Sequence, residues 1–207
     1  MSRAVVVVGL LALLSAGAVS GCHESPTQTD LNHPVADFSL TDQDGRTVTR
    51  ADLLGKVWVA SFLFTRCATL CPQVSATLAE LQHDLNGQEG VVLVSFTVDP
   101  DHDMPDVLKK YADAHGAEPG RWLFLTGDRD KLYALIQKSF LVAVEQNQGT
   151  ARQPGNEVTH SPRLMLVDKR GHVRFMFDGR RVGDGGRPVN ELPALRAKLA
   201  DLLREKP

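Results

Sequence analysis

The chain has 207 residues, of which 43% are hydrophobic and 23% charged, a composition that is typical of a folded globular protein and excludes a wholly disordered one. Its formal net charge is −2 and its lysines and arginines form no basic stripe, so we expect no nucleic-acid binding. The length suits one domain with short additional segments.

The first 22 residues have the layout of a secretory signal. Arg3 is followed by an uncharged apolar stretch over residues 4–19, which is short for a membrane span, and then by two small residues. The ending "VSGC" resembles the bacterial lipobox, in which the cysteine is lipidated and becomes the new N-terminus. We therefore predict a lipoprotein signal peptide over residues 1–21, a lipid anchor on Cys22, and an extracytoplasmic, periplasm-facing position at a membrane. An uncleaved anchor helix is the alternative.

The next segments predict a tether and the start of a folded domain. Residues 22–34 are polar, contain two prolines and show no periodicity, which predicts a flexible tether before a domain over residues 35–207. The stretch "ADFSLTDQDGRTVT" has two short alternating runs around "DQDG" and predicts a β-hairpin. Residues 56–64, "KVWVASFLF", are almost continuously apolar, as in a central strand that is buried on both faces.

The rest of the chain alternates helical and strand patterns. A helix is predicted from Pro72, with an apolar stripe at Val74, Leu78, Leu81 and Leu85. Beyond it we predict strands at 91–99 and 121–127 and a hairpin over 161–179 that turns at 169–171. Three more helices are predicted: one at 104–116, one that begins after an N-cap at Asp128, and one at about 190–204. This order predicts an α/β fold. A terminal β-β-α unit, with a cysteine pair between a strand and a helix, resembles the thioredoxin-like fold, here with an N-terminal hairpin extension.

Cys67 and Cys71 lie between the buried strand and the first helix. Pro72 fits the first helical position, which makes Cys71 the predicted N-cap and places its sulfur at the positive end of the helix dipole, where the pKa of a thiol falls. The spacing also permits a disulfide, although so short a loop would stabilise the chain little. With Cys22 lipidated, the two form an even pair in an oxidising compartment. A structural disulfide, a redox pair and a metal site all remain open at this point.

A metal site needs a further ligand, and His160 is the candidate histidine. It follows a long segment over residues 145–158 that contains Gly149, Pro154 and Gly155, and it directly precedes a predicted strand. We expect this segment to be a mobile loop that presents His160 at the edge of the sheet, near the junction of strand and helix. A surface histidine at a strand start is the other interpretation, and position alone does not choose between them.

Four segments together resemble the Sco/SenC family, which consists of membrane-tethered, thioredoxin-like copper proteins that help to assemble the CuA centre of cytochrome c oxidase. They are "FTRCATLCP", "VDPDHDMPDVLKKYA", "WLFLTG" and "VTHSPRLMLVD", and the resemblance covers about residues 35–205. It implies that Cys67 and Cys71 are the metal-binding cysteines, that His160 is the histidine ligand, and that Asp99 supports the site without binding metal.

The sequence departs from the family pattern at two positions. Ala68 stands where proline is common, and Thr159 stands where aspartate commonly precedes the histidine. The first change is expected to loosen the cysteine loop, and the second removes a negative charge beside His160. Neither change removes an implied ligand.

The implied ligands suit copper. Two thiolates and a neutral imidazole form a soft set that favours Cu(I), while Cu(II) is also compatible and zinc is not excluded by ligand type. The resemblance implies partners as well: a copper donor protein, the copper-receiving subunit of cytochrome c oxidase, and the membrane through the lipid anchor.

Two other functions use the same cysteines. One is a thiol-disulfide oxidoreductase that keeps the cysteines of the copper-receiving subunit reduced, so enzymatic activity is left open. The other is peroxide reduction, because "ADFSLTDQDG" also resembles peroxiredoxin openings. It would require an arginine such as Arg66 to point at the sulfur, and it ranks last.

Overall fold

The computed structural model describes residues 29–206, which form a mixed sheet flanked by four helices. In chain order the elements are β1 (His33–Pro34), β2 (Ser39–Thr41), β3 (Thr47–Thr49), β4 (Val57–Leu63), α1 (Leu70–Asp84), β5 (Val91–Thr97), α2 (Pro105–Ala114), β6 (Trp122–Leu125), α3 (Arg129–Phe140), β7 (Val144–Gln146), β8 (Val158–His160), β9 (Arg163–Val167), β10 (His172–Asp178) and α4 (Leu192–Arg204). Within these residues no helix is both long and apolar enough to span a membrane.

The central sheet has the strand order β1-β10-β9-β4-β5-β6. Strands β4, β5 and β6 are parallel, whereas β9 pairs antiparallel with both β4 and β10. All residues of β4 and β5 are buried, which confirms the prediction from their continuous apolar runs. Because β4 and β5 are parallel neighbours, their carboxyl ends lie at the same edge of the sheet, and the two segments that follow them lie side by side.

Aromatic side chains fill the core beside these strands. Phe62 on β4, Phe96 on β5 and Phe140 on α3 have ring centroids 5.2–6.1 Å apart. Two buried polar side chains within the strands are satisfied locally, because the hydroxyls of Ser61 and Ser95 are 2.7 Å apart and form a hydrogen bond. A dense core of this kind holds the ends of β4 and β5 in fixed positions.

Several local predictions are confirmed. Strands β2 and β3 form the predicted N-terminal hairpin, and β9 and β10 form the later one. Its turn places Gly171 at φ 78°, a left-handed conformation that glycine tolerates. Asp128 caps α3 by accepting a hydrogen bond from the amide of Lys131 at 3.0 Å.

The predicted tether differs from the structure at its C-terminal end. His33 and Pro34 form β1, which pairs with β10, and the Leu31 amide donates to the Arg174 carbonyl at 2.8 Å. The guanidinium of Arg174 also donates to the carboxylate of Asp30. The folded part therefore begins before residue 35. The predicted signal peptide, Cys22 and the first part of the tether lie outside the described residues.

Candidate metal centre

The two cysteines lie where β4 leads into α1, at the carboxyl edge of the sheet. Helix α1 begins at Leu70 with Thr69 as its N-cap, so the prediction of Cys71 as the N-cap is wrong by two residues. The physical reason is that every amide in the first helical turn lacks an intrahelical partner, so Pro72 is tolerated there without marking the first position. Cys71 lies inside the first turn, and its amide donates to the Cys67 sulfur at 3.4 Å.

This geometry reverses the predicted roles of the two thiols. The hydrogen bond from the Cys71 thiol lowers the pKa of Cys67 strongly, and hydrogen bonds from the backbone amides of Cys71 and Thr69 act in the same direction. The pKa of Cys71 is raised, first by its hydrogen bond to Cys67 and then by burial. Cys67, and not Cys71, is therefore the sulfur that the start of the helix stabilises as a thiolate.

The two sulfurs also differ in access. Cys71 is completely buried, whereas Cys67 is 9% exposed and lines a shallow pocket together with Phe64, Leu70 and His160. Both thiols are free in the structure. A ligand or a partner sulfur that approaches from solvent would therefore meet Cys67 and His160 before Cys71.

His160 reaches the cysteines from a small ribbon of two short strands. The segment predicted as a loop contains β7 and β8, which pair antiparallel with Val144 opposite His160, and a short 3-10 helix at Gly149–Ala151. The predicted loop is therefore confined to the residues between β7 and β8, and its two ends are ordered by strand pairing between residues more than ten positions apart. The second strand of the ribbon, β8, ends at His160 and presents that residue at the edge of the sheet.

The imidazole of His160 lies against the sulfurs. Its Nε2 atom is 3.5 Å from the Cys71 sulfur, and the potential ligand atoms of Cys67, Cys71 and His160 all lie within 4.8 Å of one another. The Nδ1 atom is 3.2 Å from the Ser161 carbonyl, an oxygen that can only accept, so Nδ1 carries the proton and donates it. This leaves the lone pair of Nε2 free for a metal, and Phe64 supports the ring edge-on at 5.7 Å.

An ionic cluster borders the cysteine loop. Asp99, which follows β5, accepts a hydrogen bond from Nη2 of Arg66 at 2.5 Å, and Nη1 of Arg66 is 3.4 Å from Oε1 of Glu157. These carboxylates raise the pKa of Arg66, with the Asp99 hydrogen bond as the largest cause. Asp99 is thus connected to the cysteine loop through Arg66, the residue before Cys67. Because the guanidinium is directed at two carboxylates, the geometry gives no support to peroxide polarisation by Arg66.

A second group of metal-binding residue types, Asp99, His102 and Asp103, lies next to this cluster. Its oxygens already have partners: Asp103 accepts hydrogen bonds from the amide and hydroxyl of Thr65, from the Thr97 hydroxyl and from His102. This group therefore joins the ends of β4 and β5. Sequence reasoning missed Glu157, Thr65 and Asp103, because no spacing in the chain indicates a partner so distant in sequence.

Comparison with known proteins gives the family. The SCO1/SenC family model matches residues 26–185. The SCO1 protein homolog of Bacillus subtilis is 34% identical over 176 residues, which are 84% of this chain and 89% of the homolog. The solved structure of BsSco, named as a member of the Sco family of cytochrome c oxidase assembly proteins, has a TM-score of 0.73 and 30% identity and covers 86% of this chain and 99% of its own.

A copper-bound structure is also similar. Yeast Sco1 with copper bound has a TM-score of 0.64 and 26% identity, and the match covers 84% of this chain and 91% of the yeast chain. The fold is thus the thioredoxin-like fold of these relatives, as the order of strands and helices predicted. This chain belongs to the SCO1/SenC family.

Proposed function

We propose that this protein binds copper as Cu(I) through Cys67, Cys71 and His160 and delivers it to the copper-receiving subunit during assembly of the CuA centre of cytochrome c oxidase. The observation that carries the proposal is the approach of two free thiols and the Nε2 atom of His160 to within 4.8 Å of one another. The bound copper of yeast Sco1 and the oxidase-assembly role named for the family of BsSco support it.

The donor set fits a monovalent ion. Thiolates are soft ligands that select Cu(I), and an imidazole nitrogen completes a three-coordinate site. Two thiolates, a neutral imidazole and one monovalent cation together carry a single negative charge, so burial of the loaded site is less costly than burial of both bare thiolates. Cu(II) is compatible with the same ligands and is a secondary part of the proposal.

Access to the site suggests the order of transfer. His160 is half-buried and belongs to the small β7–β8 ribbon, whereas Cys71 is wholly buried in the main domain. A partner that offers its own ligand would therefore displace His160 first and reach the sulfurs afterwards. We propose that a copper donor protein loads the site through the same opening.

A thiol-disulfide oxidoreductase is the second candidate, and the lowered pKa of Cys67 favours it. In that reaction the Cys67 thiolate attacks a disulfide sulfur of the partner, breaks its S–S bond and forms a mixed disulfide. The Cys71 thiol, after losing its proton, then attacks Cys67 and releases the partner as a dithiol, so the protein ends oxidised. The partner would be the copper-receiving subunit with its cysteines oxidised.

Replacement of His160 by alanine separates these two functions. We expect Cu(I) affinity to fall by at least about tenfold, because even groups one layer outside a metal site contribute about 10–100-fold to affinity. Thiol-disulfide exchange should continue, since both sulfurs remain. The measurements are competition with a chromophoric Cu(I) chelator and reduction of a model disulfide.

His83→Ala is the matched control for this test, because His83 is exposed on α1, and its replacement should leave Cu(I) affinity unchanged. If His160→Ala retained the affinity of the unmodified protein, the copper proposal would give way to the oxidoreductase.

We further propose that Cys22 carries the lipid anchor and that the domain faces the periplasm. The proposal depends on the lipobox-like ending "VSGC" after an apolar stretch. Mass spectrometry of the protein from the membrane fraction should find an N-terminal Cys22 with a diacylglycerol adduct. An intact Met1 on the mature protein would contradict the lipoprotein assignment.

A further inference from the structure

We propose that Glu157, acting through Arg66, is a positioning residue that holds His160 against the two sulfurs. This inference rests on the proposed copper function, in which His160 is a ligand. Glu157 immediately precedes β8, three residues before His160, and Arg66 immediately precedes Cys67. The pair therefore joins the segment that carries the histidine to the loop that carries the cysteines.

The contacts form a chain of three charged groups. Arg66 donates to Asp99 at 2.5 Å on one side and lies 3.4 Å from Glu157 on the other. The side chains of Asp99 and Glu157 are 3% and 8% exposed, and that of Arg66 is 35% exposed. Because Asp99 follows β5 in the main sheet, Arg66 fixes the ribbon of β7 and β8 relative to the core and not only to the cysteine loop.

The backbone approaches closely at the same place. A Cβ atom built on Gly155 would lie 3.1 Å from the Cβ of Ala68 and 3.4 Å from the Arg66 carbonyl oxygen. Gly155 has φ 83°, so its own conformation also favours glycine. The ribbon thus rests closely on the cysteine loop at Gly155, and a small rotation of the ribbon would move His160 relative to the sulfurs.

The energetics of Glu157 point to positioning and not to stability. Its Oε2 atom is buried and has no hydrogen-bond partner among the described residues, and its Oε1 atom meets Arg66 only at 3.4 Å. A buried carboxylate with an unsatisfied oxygen is a poor stabiliser, because the loss of hydration outweighs one long contact. The best-attested role of such groups is to fix a register. A shift of β8 by one residue would turn His160 to the opposite face of the ribbon.

A double-mutant cycle tests this role. Glu157→Gln keeps the size of the side chain and removes its charge, and we expect it to weaken Cu(I) binding by about tenfold, the lower end of the range for groups outside the ligand layer. In a His160→Ala background the same change should have less than about a twofold effect, because no histidine remains to be positioned. Cu(I) affinity is measured by competition with a chromophoric chelator.

The chain offers a matched control and a second variant. Glu145→Gln removes an equal charge from the exposed face of the same ribbon and should leave Cu(I) affinity unchanged. Arg66→Lys keeps the positive charge but loses the planar fork that bridges two carboxylates, so it should weaken Cu(I) binding as Glu157→Gln does. It replaces Glu157→Gln in the test if Glu157→Gln folds poorly. A readout without metal is the NMR spectrum of the His160 ring in the reduced protein, which should shift with Glu157→Gln and not with Glu145→Gln.

The outcomes separate the two proposals. An equal loss of affinity from Glu157→Gln in both backgrounds would mean a general structural role and would overturn the positioning inference. The positioning inference would also fail if Glu157→Gln alone had normal Cu(I) affinity and an unshifted His160 signal while His160→Ala weakened binding. If His160→Ala leaves Cu(I) affinity unchanged, the copper function itself fails, and the metal-free spectrum then decides whether Glu157 positions the ring.

Discussion

Replacing Cys71 with serine is expected to lower Cu(I) affinity by more than about a hundredfold, beyond the range of about 10–100-fold for groups outside the ligand layer. The Cys71 sulfur is completely buried and lies 3.5 Å from Nε2 of His160, so no other donor can take its place without a change in the core. A serine hydroxyl is a hard, un-ionised group that Cu(I) binds poorly. The measurement is a chelator competition titration of the reduced domain, with metal analysis to give the number of copper ions bound.

Cys67→Ser should show a loss of similar size, because both sulfurs are ligands in the proposed site. The control is His83→Ala, which changes an exposed side chain further along α1 and leaves all three donors in place. We expect that variant to bind one Cu(I) normally. Retention of near-normal affinity by Cys71→Ser, with the fold intact by circular dichroism, would show that the ligand set is different.

Asp103→Ala is expected to lower the free energy of unfolding by about 3 kcal/mol or more, because each buried donor left without a partner costs about 1–3 kcal/mol. The Asp103 carboxylate is fully buried, and it accepts hydrogen bonds from the amide and hydroxyl of Thr65, from the Thr97 hydroxyl and from His102. Its removal leaves these donors unsatisfied where β4 and β5 end. Urea unfolding followed by circular dichroism measures the change.

Asp106→Ala is the corresponding control. Asp106 is exposed in the first turn of α2, three residues after Asp103, and its replacement should change stability by no more than about 0.5 kcal/mol. If Asp103→Ala and Asp106→Ala changed the stability equally, the hydrogen bonds of Asp103 would not hold the two strand ends together as we infer.

The expected effect of Asp103→Ala also bears on the metal centre. Thr65 lies two residues before Cys67, and Asp103 fixes its backbone amide at 3.1 Å. The cysteine loop therefore starts from a point that is fixed by a buried carboxylate in the loop between β5 and α2. This connection shows how the packed sheet keeps the two sulfurs in place before any metal arrives.

The sequence by itself determined the order of the long strands and the helices and the identity of the candidate ligands. Continuous apolar runs predicted β4 and β5, and the spacing of leucines predicted the buried face of α1, because burial patterns repeat with the local geometry of strands and helices. The motif around Cys67 and Cys71, taken with the distant His160, was sufficient for a resemblance to the Sco/SenC family.

Only the tertiary structure decided which sulfur is the thiolate, how His160 is held and what Arg66 contacts. The first depends on where α1 begins, because that brings the Cys71 amide to the Cys67 sulfur. The other two depend on groups that are far apart in the chain: Nε2 of His160 lies 3.5 Å from the Cys71 sulfur, and Arg66 meets Asp99 and Glu157. The ribbon of β7 and β8 escaped prediction for the same reason, since its strands are short and are ordered by pairing with each other. Local patterns record periodicity, whereas the chemistry of this site arises from groups that only folding brings within hydrogen-bonding distance.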